Sequence, residues 1–261
     1  MKQLGEANLI EVPKQSFGFY NIPEHTKKTL LEAFPQLTEK YSPQALAKAG
    51  VEKFYFDKEG TLIGSNSIIP ILMNQNNMFP EGEHLLSISE FARAHNENQK
   101  AFSGTYQDTG IIIRTTDSPF SQSLYDQIKK RGITPTQEEP IVISLTNLEL
   151  RQDQGSSYGF MPEIKDDVSL IVASAYGRRE EIETFTLYDA QGIPIPNKLG
   201  DKQIWKRSAG VARVFSNSYL GASSSGPHLA GSYCNGRVAV GSPVPQIAKI
   251  KKDLENRVAK L

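Results

Sequence analysis

Acidic residues are missing from one fifth of this chain. From Lys202 to Lys252 there is no Asp or Glu, although the 261 residues include 29 acids. Other scarcities bound the class of protein. A single cysteine, Cys234, excludes an intrachain disulfide framework. The sequence has no Asn-x-Ser/Thr sequon, and its first residues, MKQLGEANLIEVPKQ, lack the apolar stretch of a signal peptide. No run approaches the ~18 apolar residues that cross a membrane. These absences predict a cytoplasmic protein without a membrane partner. The four histidines, at 25, 84, 95 and 228, show no helical or hairpin pairing, and HExxH, CxxC and EF-hand patterns do not occur. No metal or cofactor is therefore expected.

What fills the acid-free segment is distinctive. It holds Lys202, Lys206, Arg207, Arg213, Arg237, Lys249, Lys251 and Lys252, the only tryptophan (Trp205), and many Ser, Gly and Tyr. The whole chain has formal charge zero, so the remainder carries net −8. Clustered cations without nearby acids raise the local potential and attract anions.

The pattern of residues predicts an α+β fold. Positions 1–84 read as loop-rich, with a helix over 26–34 stopped by Pro35, another from Ser42-Pro43 to Gly50, and a hairpin over 54–64. Ser87-Ile-Ser-Glu90 fits a capping box for a helix through about Phe102. GIIIRT (110–115) and PIVISL (140–145) read as strands joined by a helix from Ser118-Pro119 to Arg131, a βαβ unit with parallel strands. The C-terminal part reads as mainly antiparallel, with strands at 168–176 and 183–189. Asn235-Gly236 sits between β-prone runs and predicts a type I′ hairpin. From Pro245, Ile247, Ile250, Leu254, Val258 and Leu261 recur at helical spacing. That terminal amphipathic helix would dock on the sheet or pair two copies of the chain. No linker divides the sequence, so one domain over 1–261 is expected.

Candidate chemistry concentrates in the acid-free segment. Gly221 to Gly226 has P-loop spacing, but Pro227-His228 stand where a Lys and a hydroxyl residue are needed. A looser anion nest of Ser and Gly backbone remains, with Ser224 at its centre. Trp205 and Tyr219 offer stacking surfaces between Arg207, Arg213 and Arg237, the combination that binds nucleic acid or a nucleotide. Cys234 and His228 are the candidates for a nucleophile and its base in a hydrolase or transferase built on 216–237, although a lone strand Cys is more simply a core residue. A structural or assembly protein using its last helix is the third reading.

The runs YQDTGIIIRT, LTNLELRQD and NGRVAV, within residues 105–242, resemble small uncharacterised archaeal proteins. The resemblance implies one continuous domain in a prokaryotic cytosol and carries no activity. The leading expectation is a binding protein for an anionic ligand through 202–252.

Overall fold

The computed structural model describes residues 16–19, 34–51, 55–56, 62–63, 65–79, 83–97, 99–177, 183–206, 210–226, 228–231 and 235–242. Strand β1 (Ser16–Phe19) is followed by helix α1 (34–40) and helix α2 (Pro43–Lys48). Ser42 caps α2 by accepting from the Ala45 amide. Pro35 lies within α1, and residues 26–33 of the expected first helix fall outside the described residues. The short hairpin β2 (Tyr55–Phe56) and β3 (Leu62–Ile63) is antiparallel, as its alternation predicts. Helix α3 (Ile68–Gln75) is buried over most of its length. Within the stretch read as loop-rich, the described residues thus include three helices whose apolar side chains enter the main core.

Strand β4 (His84–Leu85) leads to helix α4 (Ile88–Glu97), where the capping box forms: the Ser87 amide donates to Glu90 Oε2 at 2.9 Å and the Glu90 amide to Ser87 Oγ at 3.3 Å. Strand β5 (Tyr106–Ile113), helix α5 (Pro119–Lys130) and strand β6 (Ile141–Ser144) follow. Next come β7 (Leu148–Gln152), β8 (Phe160–Ile164), β9 (Ile171–Val172), β10 (Glu183–Tyr188), β11 (Pro194–Pro196), β12 (Lys202–Lys206), β13 (Val211–Ser216), β14 (Ala222–Gly226), β15 (Gly236–Arg237) and β16 (Ala239–Ser242). Among the described residues, no helix is long and apolar enough to cross a membrane.

The main sheet runs β11-β10-β12-β14-β13-β5-β6-β9, with β15 on β5. It is mixed: β12 pairs with β14 in parallel, while most other pairs are antiparallel. Both faces are covered. Ile111 and Ile113 of β5 join one core with α3 and α5, and Ile112 joins the other with α4. Burial on both faces explains the unbroken apolar run in this strand.

The parallel pairing expected of the two central strands is corrected. β5 and β6 are adjacent but antiparallel, with Ile113 opposite Ile141. The twelve-residue helix between them advances about 18 Å. The ten residues 131–140 can reach back over ~33 Å of extended chain. That return cancels the helix's travel, so β6 starts at the end where β5 stopped. Gly236–Arg237 pairs with β5 in parallel, and β16 is flanked by β1 on one edge and β4 on the other. The first strand of the expected Asn235-Gly236 hairpin, residues 232–234, lies outside the described residues, as does the terminal helix. The strand expected at 168–176 shortens to β9 and a 3-10 turn at Ser174–Tyr176.

Gly50 and Gly132 both end helices with positive φ, at 70° and 80°. Their surroundings differ. A Cβ on Gly132 meets nothing within 4 Å, whereas one on Gly50 would lie 2.7 Å from the Ala230 carbonyl oxygen and 2.9 Å from Asn66 Nδ2. Gly132→Ala should cost about 1 kcal/mol, the left-handed backbone alone. Gly50→Ala should cost roughly 3 kcal/mol or more, because overpacking adds to the same strain. Urea unfolding of the two variants measures the difference; equal losses would refute the close packing at Gly50.

Candidate functional site

Among the described cations of the acid-free segment, Arg213 and Lys206 are paired with acids inside the fold. Arg213 is fully buried: Nε donates to Asp108 Oδ1 at 2.6 Å, Nη2 to Oδ2 at 2.5 Å, and Nη1 to the Gly231 carbonyl at 2.7 Å. Lys206 is paired with Glu183 at 2.8 Å, both nearly buried. Arg237 is half-buried on β15 and donates to the neighbouring Gly236 carbonyl. Arg207 lies outside the described residues. Arg213 and Arg237 therefore do not share an exposed cationic patch.

The other expected site residues also separate. Ser224 is buried; it accepts from Arg114 Nη2 at 2.7 Å and donates to the Trp205 carbonyl, so it serves the sheet rather than an open nest. Trp205 is 51% exposed on β12 and Tyr219 is 87% exposed on the loop before β14. His228 is exposed, and Cys234 lies outside the described residues, so their expected pairing is not seen here.

A different group of residues comes together at one end of the main sheet. A bulge decides which. Val214 faces Gly110 across β13 and β5, but Phe215 faces Asp108, so Thr109 is an extra residue. Each one-residue slip moves side chains to the opposite face. The bulge sends Asp108 to the face of Arg213. It leaves Gln107 opposite Ser216 on the other face, where α4 packs.

On that face, His95 of α4 sits among Phe91, Phe102 and Tyr188, with ring centroids 5.1–5.8 Å away. Its neighbour Asn96 fixes the helix on β10: Nδ2 donates to the Tyr188 carbonyl at 2.9 Å, and Oδ1 accepts from the Tyr188 amide at 3.1 Å. Lys202, at the start of β12, is 3% exposed with Nζ 5.3 Å from the Phe185 ring centre. Its nearest acid is Asp201, at 3.7 Å, too far for a hydrogen bond. Among the described residues, His95 Nδ1 and Nε2, Lys202 Nζ, Ser216 Oγ and Gln107 Oε1 are buried with no hydrogen-bond partner. Buried polar atoms are ordinarily satisfied, so several orphans on one face call for an explanation.

The electrostatics follow from burial. Desolvation, then the Lys202 charge, lowers the His95 pKa to about 4, against a smaller opposite pull from Asp201. Burial lowers the Lys202 pKa, partly offset by Asp201. Burial raises the Tyr188 phenol well above its ordinary value, and the nearby Ser216 hydroxyl offsets part of that rise without a hydrogen bond of good geometry. The cluster therefore offers a neutral imidazole, a destabilised ammonium and neutral hydroxyls. On the outer side of Tyr188 a groove of about 540 Å³ is bordered by Ser89, Arg93, Glu97 and Asp189. The exposed Asp201 and Tyr219 lie on the loops that lead into β12 and β14 at this end of the sheet.

Both central residues were legible by period. In α4, Ile88, Phe91, Ala92 and His95 stand at i, i+3, i+4 and i+7, placing His95 on the buried stripe. In KQIWK, Lys202 alternates with Ile204, so it shares the inward face.

Because the folded His95 value lies below the ordinary 6.5, the unfolded chain takes up this proton first as pH falls. The stability tied to His95 is complete above about pH 6.5 and is lost between there and about pH 4, by roughly 3 kcal/mol. Unfolding measured at pH 7.5 and pH 4.5 should show this loss in the native protein and a much smaller one in His95→Leu; identical pH slopes would exclude a buried neutral His95. No protein-family model, curated protein or solved structure matches this chain, and the resemblance of residues 105–242 rests on its motifs alone.

Proposed function

We propose that this protein binds a small anionic ligand at the buried end of its main sheet, with Lys202 as the countercharge. The observation that carries the reading is the Lys202 ammonium, 3% exposed and without a hydrogen-bond partner among the described residues, on the same face of the sheet as the orphan polar atoms of His95 and Ser216. An ammonium in low dielectric is costly unless an anion neutralises it. Neutral imidazole N–H and serine O–H groups complete the coordination of a carboxylate or phosphate. The acid-free composition of 202–252 then has a local meaning: Asp201 is the last acid before Lys202, and none follows it in the segment.

A second reading, single-stranded nucleic acid, is favoured by the exposure of Trp205 and Tyr219, which suits base stacking. It has less support, since Arg213 and Lys206 are already paired with acids.

Titration with acetate, pyruvate, inorganic phosphate and a mixed single-stranded oligonucleotide, followed by the imidazole NMR signals, separates the two. At least one small anion should shift the His95 resonances, and Lys202→Met should weaken that binding by about tenfold or more, the worth of one charged hydrogen bond. Retention of the oligonucleotide with no response at His95 to any small anion would replace this reading with the second.

A further inference from the structure

Lys202 is also placed to act as a nucleophile. We infer that its amine condenses with the carbonyl carbon of a small 2-oxo acid to form an imine, an inference that rests on the anion site just described and gives it a ligand class.

Lysine nucleophiles work when held out of water and free of a tight acidic partner. Lys202 Nζ meets both conditions: it lies over the Phe185 ring, and among the described residues the acid near it is the solvent-facing Asp201 at 3.7 Å. Condensation also needs a group to carry protons. His95, buried with both ring nitrogens unengaged and close enough to feel the Lys202 charge, supplies one. The lowered pKa of Lys202 gives more free amine at neutral pH than an exposed lysine has.

The atoms balance without a further reactant. The amine lone pair attacks the carbonyl carbon and the C=O π pair moves to oxygen. A proton lost from nitrogen passes through the neutral His95 imidazole to that oxygen, giving a carbinolamine. A second proton transfer lets the hydroxyl leave as water, and the C=N bond forms. Nothing is oxidised or reduced. A 2-oxo acid is favoured over a plain aldehyde because its carboxylate sits beside the iminium charge. Buried aromatic side chains on this face, Phe185 and Tyr188 among them, limit the remainder to a short chain.

The test is reductive trapping. The intact protein is incubated with pyruvate and sodium cyanoborohydride and its mass is measured, then the adduct is mapped by peptide digestion. One reduced pyruvate adduct is expected, on Lys202. Lys202→Met should abolish it while keeping a native melting curve, and His95→Gln should slow it about tenfold. Labelling spread over other lysines, or no labelling while acetate still shifts the His95 signals, would overturn the imine and leave the anion site standing. Absence of both labelling and any anion response would remove both.

Discussion

The fold is organised around one buried ion pair, Arg213 with Asp108. Both oxygens of the carboxylate accept from the guanidinium, Ser67 Oγ donates to Oδ1 at 2.9 Å, and Arg213 reaches the Gly231 carbonyl. Those contacts tie β5 and β13 to the start of α3 and to the 228–231 turn. Asn66 strengthens the same junction, donating to the Ala49 and Ala230 carbonyls and accepting from the Ile68 and Ile69 amides. A buried charge is tolerable only when paired and hydrogen-bonded. The Thr109 bulge is the device that meets this requirement, because without the extra residue Asp108 would face away from Arg213.

The same bulge shapes the opposite face. It sets Gln107 beside Ser216 under α4, where His95, Tyr188 and Lys202 gather. The two faces of one sheet thus treat charge differently. On the α3 side a cation is fully matched by an acid. On the α4 side a cation lacks such a match, and several neutral polar atoms around it lack partners as well. A structure stable with those groups unmatched has given up stability there, which is where binding and chemistry concentrate.

Local signals carried much of the fold. The caps at Ser42, Ser87 and Ser118, the hairpin at 55–63 and strand β10 lie where residue patterns place them, because capping and alternation are decided by near neighbours. Pairings decided at long range were not legible. The direction of β6 depends on how far 131–140 runs back, and Gly236–Arg237 finds its partner strand β5 130 residues away in sequence. For the proposed site, composition pointed to the segment 202–252 but did not rank its cations. A count of missing acids within 202–252 cannot show that Asp108 reaches Arg213 from outside it. Lys202 and Lys206 share the inward phase of one strand, and only the Glu183 partner of Lys206 separates them.

A double-mutant cycle on the ion pair tests this account most directly. Unfolding free energies are needed for Arg213→Met, Asp108→Leu and the double variant. Each single change should cost about 3–5 kcal/mol, because it strands a buried charge. The double variant should lose far less than the two together, and its small-anion response at His95 should persist. If Arg213→Met were as stable as the native protein and lost that response instead, Arg213 would be a ligand contact, and the separation of a structural cation from the Lys202 site would be wrong.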